Sequence, residues 1–291
     1  MTAGLPKKGD FKMKKSLTGL FAMALACLIF LNMNAIFAKS DVYIEKNGVS
    51  LVKPPAEVQG KVHISGSTSK EKIKIMVKKD DSQTWYDVPL VDGNFDSQLW
   101  LVQGEGSYTI TVMVHEYDRK YSYGPSVTVK NTQEVDRFSV PTKEIESDAP
   151  EITSLAEKLA ENKKTDAEKM KAIYDWVTAN INYDYKKYEK HLNGDYDNTY
   201  GALNTLKTKK GVCYDYAALT AALGRASGVR VKVVKGEGKL GAFQGLHAWN
   251  EFYSSEEKRW VSMDTTFGAL GQDVYFDNRD FDDTHRKIDE Y

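Results

Sequence analysis

The chain has little cysteine, and its two thiols lie in very different surroundings. Only Cys27 and Cys213 occur in 291 residues. Cys27 lies in a long apolar run at residues 17–38, which we expect to be removed. A single thiol then remains, and this excludes an intramolecular disulfide framework. It also excludes a thiol–disulfide enzyme of the usual form, since that form needs a second, resolving cysteine.

The chain also lacks an excess of charge of either sign. Its 40 basic residues nearly balance 41 acidic residues. There is no basic stripe with interleaved aromatic residues, so we do not expect nucleic-acid binding. Four histidines have no metal-ligand spacing to cysteine or carboxylate residues: His63, His115, His191 and His285. The sequence therefore predicts neither a metal site nor a cofactor.

The N-terminal apolar run predicts export. Lys14 and Lys15 precede the run, and Ala38 offers a small residue at its end. This pattern is typical of a signal peptide, so we assign residues 1–38 to a signal peptide with an N-terminal leader. The protein is then expected to be secreted or at the cell surface. The run is also about long enough to span a bilayer, so an uncleaved signal anchor is the one membrane association left open.

Residues 42–131 show the alternation of β-strands. Ile73, Ile75 and Val77, for example, alternate with polar residues, and turn signals recur at roughly ten-residue spacing. Short alternating strands at this spacing predict an antiparallel β-sandwich of the Ig-like type. The polar, proline-bearing segment 132–149 is predicted to be a linker.

The second half of the chain, residues 150–291, is predicted to be an α+β domain in which helices precede an antiparallel sheet. A capping box at Thr165 and Glu168 marks one helix start. A tyrosine-rich segment then runs as a loop to Asn198. A further loop is expected at residues 236–239, before a strand that starts at His247.

Three residues in this half have the chemistry of a nucleophilic enzyme. Cys213 opens a predicted helix, whose N-terminus favours thiolate over thiol. His247 and Asp264 follow in the chain, each in its own distinctive local sequence. A thiol, an imidazole and a carboxylate suggest a nucleophile, its base and the group that orients the base.

The local sequences around these three residues carry a family resemblance. They read GVCYDYA at residues 211–217, HAWNE at 247–251 and WVSMDTT at 260–266. They resemble the three motifs of the transglutaminase-like superfamily, a papain-related fold with kyphoscoliosis-peptidase-like bacterial members.

The resemblance implies roles for individual residues. Cys213 is the expected nucleophile, His247 the base and Asp264 the orienting group. Tyr183 or Tyr200 is expected to supply the second oxyanion donor, and we also place Trp249 in the cleft.

The sequence thus predicts an exported cysteine-dependent amidase, either a peptidase or a transglutaminase. It would form a thioester on Cys213 with a protein or cell-wall peptide substrate, and we expect it to be a monomer. The alternative is a non-enzymatic cell-surface binding or adhesion module that uses the same fold.

Overall fold

The computed structural model describes residues 43–271 and 274–291. The predicted signal peptide lies outside the described residues. The described part is a mixed α+β structure, in which a β-rich region is followed by helices and a further sheet. Among the residues that the structure describes, no helix is both long and apolar enough to cross a membrane.

The β-rich region consists of two sheets. Its strands are β1 (Tyr43–Lys46), β2 (Val49–Val52), β3 (Glu57–Val58), β4 (Lys61–Thr68), β5 (Ile73–Lys79), β6 (Ser82–Val88), β7 (Asn94–Trp100), β8 (Gly106–Tyr117) and β9 (Lys120–Asn131). One sheet has the order β1-β2-β4-β7 and the other β3-β9-β8-β5-β6. All neighbouring strands are antiparallel except β3 and β9.

The two sheets share one apolar core. Leu51 and Ile64 of the first sheet and Ile75 and Ile110 of the second belong to the same cluster of buried side chains. In β4 and β5 the apolar residues at every second position are buried, as the period of two predicts, and Met76 on the other face of β5 is buried as well. The Ig-like character of this region stays a prediction.

The helices of the second region surround the one that begins at Cys213. They are α1 (Pro150–Ala160), α2 (Asp166–Asn180), α3 (Tyr185–Leu192), α4 (Ala202–Thr208), α5 (Cys213–Ala226) and α6 (Thr265–Leu270). Helix α5 is almost entirely buried and contacts α1, α2, α4 and α6. Its small side chains, among them Ala217, Ala218, Ala221 and Ala222, allow this close approach.

A four-stranded antiparallel sheet packs beside α5. Its strands are β12 (Val231–Leu240), β13 (Phe243–Ser254), β14 (Arg259–Met263) and β15 (His285–Glu290), in the order β14-β13-β12-β15. Two short strands, β10 (Asn182–Tyr183) and β11 (Lys210–Gly211), pair in parallel ahead of α5. A 3-10 turn at Phe281–Asp283 precedes β15.

The predicted loop at residues 236–239 is wrong, since these residues belong to β12 and the chain turns after Leu240. The two glycines there provide space rather than a turn. A Cβ at Gly238 would lie 2.7 Å from Cδ2 of His247, and one at Gly236 would lie 2.6 Å from Cη2 of Trp249. The following strand accordingly begins at Phe243, before His247.

The tyrosine-rich segment predicted as a loop contains helix α3. Asp184 caps this helix, because its Oδ1 accepts a hydrogen bond from the Lys187 backbone N–H at 3.0 Å. The capping box predicted for α2 is confirmed, with hydrogen bonds in both directions between Thr165 and Glu168.

The predicted linker is packed against the second region. The side chain of Ile145 is 2 % exposed and belongs to the core around α5. Arg225 of α5 donates from Nη1 to the Val140 carbonyl and the Thr142 hydroxyl, both at 3.0 Å. Residues 43–291 cluster as one compact unit. That residues 42–131 and 150–291 fold separately stays a prediction.

Candidate active site

Cys213 is the first residue of α5 and lines a cleft. Its thiol is partly exposed, and Val212 precedes it as the N-cap residue. The first turn is held by Asp215, whose Oδ2 accepts from the Val212 backbone N–H at 2.9 Å. The unpaired N–H groups and dipole of a helix N-terminus stabilise negative charge. Cys213 therefore lies at the end of α5 that stabilises negative charge.

His247 on β13 lines the same cleft as Cys213. Its Nε2 lies 2.7 Å from Oδ2 of Asp264, which leaves Nδ1 as the ring nitrogen available to the sulfur. The imidazole also stacks on Phe267, with ring centroids 4.1 Å apart and planes 15° from parallel. The hydrogen bond to Asp264 and the stacking on Phe267 together fix the orientation of the imidazole ring.

The charges around His247 favour its protonated form. Burial lowers the pKa of His247, but the attraction of Asp264 and of Cys213 outweighs burial and raises this pKa to about 10. The imidazole is thus a cation at neutral pH. The site therefore holds a positively charged ring between the Cys213 side chain and the Asp264 carboxylate.

Asp264 is fully buried between β14 and α6, and both of its oxygens have partners. Oδ1 accepts from the backbone N–H groups of Thr266 at 2.8 Å and Phe267 at 3.1 Å, so the carboxylate is also the N-cap of α6. Burial raises the pKa of Asp264, but His247 and His285 outweigh it and hold this pKa below the usual range. The carboxylate is therefore ionised.

His285 is a functional candidate that the sequence reasoning missed. Its Nε2 lies 3.0 Å from the same Asp264 oxygen that His247 contacts. Its Nδ1 lies 2.8 Å from the Thr284 hydroxyl, and its ring stacks on Phe281 at 3.9 Å. The spacing of His285 in the sequence gave no sign of this contact, which arises because β15 pairs with β12 and so returns to the site. No local motif marks this contact.

Three of these buried groups could also hold a cation. His247, Asp264 and His285 offer ligand atoms that all lie within 4.8 Å of one another. Two imidazoles and a carboxylate are a donor set that suits zinc. Both imidazoles, however, already contact the same carboxylate oxygen at hydrogen-bond distance. Hydrogen bonding thus satisfies Asp264 without an ion.

The predicted cleft residues differ in their placement. Tyr183 and Tyr200 line the cleft with Cys213. Trp249 does not: its side chain is 3 % exposed and packs behind His247 in a cluster with Phe267. Trp249 is therefore buried beneath the site, and this position does not support the prediction that it lines the cleft.

The two tyrosines also differ as oxyanion donors. Tyr183 on β10 pairs with Gly211, two residues before Cys213. Burial raises the pKa of Tyr183, and a charge on Cys213 raises it further, as expected for neighbouring groups. The Tyr200 hydroxyl is instead engaged by His191 Nε2 at 2.7 Å. Tyr183 thus neighbours Cys213, whereas the hydroxyl of Tyr200 already has a partner.

Comparison with known proteins gives the family of this region. The family model for the transglutaminase-like superfamily matches residues 153–265, which include Cys213, His247 and Asp264. Residues 153–265 form a transglutaminase-like domain. His285 lies beyond the matched segment, which is a further reason why the motifs did not indicate it.

Two curated relatives match only part of this chain and a smaller part of their own length. The UPF0252 protein MJ1282 of Methanocaldococcus jannaschii is 41% identical over 92 residues, which are 31% of this chain and 24% of that protein. Human kyphoscoliosis peptidase is 29% identical over 126 residues, 40% of this chain and 18% of the peptidase. The chain thus spans about a quarter or less of the length of the curated relatives it matches.

Solved structures include similar chains. A candidate cysteine protease from Cytophaga hutchinsonii is 18% identical, with a TM-score of 0.41, over 86% of this chain and 84% of that chain. A transglutaminase structure is 24% identical, with a TM-score of 0.33, over 42% of this chain and 31% of that chain.

Proposed function

We propose that this protein is a cysteine-dependent amidase in which Cys213 is the nucleophile, His247 the acid and base, and Asp264 the orienting group. The observation that carries the proposal is the 2.7 Å contact between His247 and Asp264. His247 lines the same cleft as Cys213. The ring is held with its free nitrogen available to the sulfur. The names of the relatives, peptidase and transglutaminase, agree with this chemistry.

The reaction follows from the charges of the site. The Cys213 thiolate attacks the carbonyl carbon of a substrate amide and forms a tetrahedral oxyanion. The C–N bond then breaks, and the His247 imidazolium gives its proton to the leaving amine. A thioester remains on Cys213. Water or a second amine attacks the thioester, loses a proton to His247, and releases Cys213 as the thiolate.

The oxyanion needs donors beside the sulfur. The backbone N–H of Cys213, at the start of α5, is the first, and the hydroxyl of Tyr183 is the second. A donor placed for the developing charge contributes roughly two to three decades in rate. Asp264 contributes by holding the imidazole ring rather than by taking its proton.

Export of this enzyme is also part of the proposal. The positively flanked apolar run that ends at Ala38 supports it. N-terminal sequencing of protein from the culture medium should find a start near Lys39. A retained N-terminus on exported protein would indicate a signal anchor instead.

Detection of the acyl-enzyme tests the chemistry. Incubation of the full chain with peptide amides, followed by intact-mass spectrometry, should show an acyl adduct on the wild type and none on Cys213→Ala. Release of the adduct by water indicates a hydrolase, and faster release by added amine indicates a transferase. Absence of an adduct and of turnover with any peptide would favour the non-enzymatic surface module.

A further inference from the structure

The cleft at Cys213 has a size and shape that suit a peptide chain. Its volume is about 1380 Å³, whereas pockets for small ligands are usually about 300–1,000 Å³. Its walls come from α3, from the turn between β12 and β13, and from β15. A space of this size exceeds what a single free amino acid or amine would fill.

Two groups of aromatic rings line the cleft. Tyr183, beside Cys213, contacts Tyr185 edge-on at 5.1 Å. Farther along, His191 stacks between Tyr196 at 5.1 Å and Tyr200 at 5.8 Å. Tyr185 is 67% exposed and Tyr196 is 64% exposed, so both rings are open to a ligand.

The rim of the cleft is unusually apolar. More than half of the large apolar side chains that are exposed in the described residues lie along it, including Tyr185, Leu192, Tyr196, Leu246, Leu270 and Ile288. Contiguous exposed apolar surface marks a site where a partner or ligand is bound. Here the surface continues into the cleft that holds the proposed nucleophile.

The charged groups that line the cleft are already engaged. The Lys235 ammonium lies over the rings of Tyr214 at 4.9 Å and Tyr291 at 4.2 Å. Glu144 pairs with Lys143 at 3.3 Å, and Asp289 accepts from the Glu290 backbone N–H at 2.8 Å. Each of these three charged groups thus has a partner within the protein, and burial of a charged substrate side chain against the apolar walls of the cleft would cost desolvation energy.

We propose that the cleft binds an extended polypeptide segment with an aromatic or large aliphatic side chain next to the reacting amide. This inference rests on the proposed function, since the amide must reach Cys213. It assigns the substrate to proteins or apolar peptides, and not to the cell-wall stem peptide, whose side chains are small or charged. The apolar side chain packs on the tyrosine rings while the carbonyl faces the thiol.

Binding to the full-length Cys213→Ala variant tests this inference without catalysis. Fluorescent hexapeptides that differ only in a central Phe, Leu, Gly, Glu or Lys, and a cell-wall stem pentapeptide, are the probes. The Phe and Leu peptides should bind about tenfold more tightly than the Glu peptide, as burial of a large apolar side chain predicts. Equal binding of all five, or tighter binding of the stem pentapeptide, would overturn the inference.

Variants of residues on the rim of the cleft test where the Phe side chain of the peptide binds. Tyr185→Ala and Tyr196→Ala should each weaken the Phe peptide roughly three- to tenfold. Tyr123→Ala is the matched control, because Tyr123 is 63% exposed but lies on β9, away from the cleft. Leu246→Glu, at a side chain 81% exposed, should reduce the preference without affecting folding. Unchanged binding in all three rim variants would also overturn the inference.

Turnover by the wild type separates the two proposals. A binding preference for Phe without Cys213-dependent turnover would contradict the proposed function alone. Turnover without a preference for Phe or Leu in either assay would contradict the substrate assignment alone.

Discussion

His285 and His247 contact the same oxygen of one carboxylate from two different strands. His285 Nε2 lies 3.0 Å from Oδ2 of Asp264, and His247 Nε2 lies 2.7 Å from it. The three side chains are almost completely inaccessible to solvent. We therefore expect His285 to position Asp264, and through Asp264 the imidazole that faces Cys213.

His285→Ala should lower kcat/KM about ten- to a hundredfold, because a hydrogen bond to a charged group contributes roughly 1.5–3 kcal/mol. With one donor fewer, the pKa of Asp264 rises, so the acid limb of the pH–rate profile should move to higher pH. His285→Gln retains an N–H donor and should recover part of the rate. A loss of rate with an unchanged profile, and no recovery by glutamine, would show that His285 only packs on Phe281.

The pH dependence of alkylation should reveal the thiolate–imidazolium pair. His247 keeps its proton up to about pH 10, so its positive charge is present throughout the neutral and mildly acidic range. Iodoacetamide should therefore label the wild type rapidly at about pH 6, where an isolated cysteine is almost entirely protonated. His247→Ala should slow labelling at this pH at least about tenfold and have little effect above about pH 9.

The exposed pair of His63 and Asp96 is the control for this measurement. Its contact is also 2.7 Å, but it lies on the β-rich region. His63→Ala should leave the labelling profile unchanged. If His247→Ala gives the wild-type profile as well, the two groups are not paired and Cys213 is an ordinary thiol.

Tyr183→Phe should separate transition-state stabilisation from binding. The substitution removes only the hydroxyl, so the ring contacts with Tyr185 and Tyr188 remain. We expect kcat to fall roughly a hundredfold with little change in KM, as for the loss of an oxyanion donor. Tyr200→Phe, whose hydroxyl contacts His191, is the matched control and should retain most of kcat. The opposite ranking would identify Tyr200 as the donor.

The buried ion pair of Lys187 and Asp215 should stabilise the start of α5. Lys187 Nζ lies 2.7 Å from Asp215 Oδ2, and the side chains are 8% and 0% exposed. Lys187→Met leaves a buried carboxylate without its cation and should cost about 3 kcal/mol of unfolding free energy. The cost should shrink at acid pH, because burial already raises the pKa of Asp215 and the group can then protonate. Urea unfolding at two pH values measures both effects.

The exposed pair of Lys171 and Asp175 provides the comparison. Its contact is also 2.7 Å, but both side chains are largely in solvent. Lys171→Met should cost about 0.5 kcal/mol or less. Equal costs for the two lysine variants would mean that Lys187 contributes no more than a surface charge.

Much of the fold followed from local patterns. The alternation of Ile73, Ile75 and Val77 identified β5, and the capping box at Thr165 located the start of α2. These signals are local, because side-chain direction in a strand and a helix cap both depend on residues that are close in sequence. The start of α5 at Cys213 was likewise visible in the sequence.

The errors arose where distant residues decide the structure. Gly236 and Gly238 have the composition of a loop, but they pair with β13 and β15 as part of a strand, and a Cβ at either position would clash with Trp249 or His247. His285 contacts a carboxylate 21 residues earlier in the chain through strand pairing. Such contacts depend on the register between strands, which the chain does not encode in any short motif.

The two oxygens of the Asp264 carboxylate make different kinds of contact. One oxygen begins helix α6, which carries Phe267 onto the face of His247, and the other holds the two imidazoles. Selection for folding alone would therefore preserve this aspartate in a descendant that had lost all activity. Cys213 caps no helix and has no such structural duty. In related sequences, loss of the cysteine beside a retained aspartate would therefore mark the loss of the proposed chemistry with the fold kept.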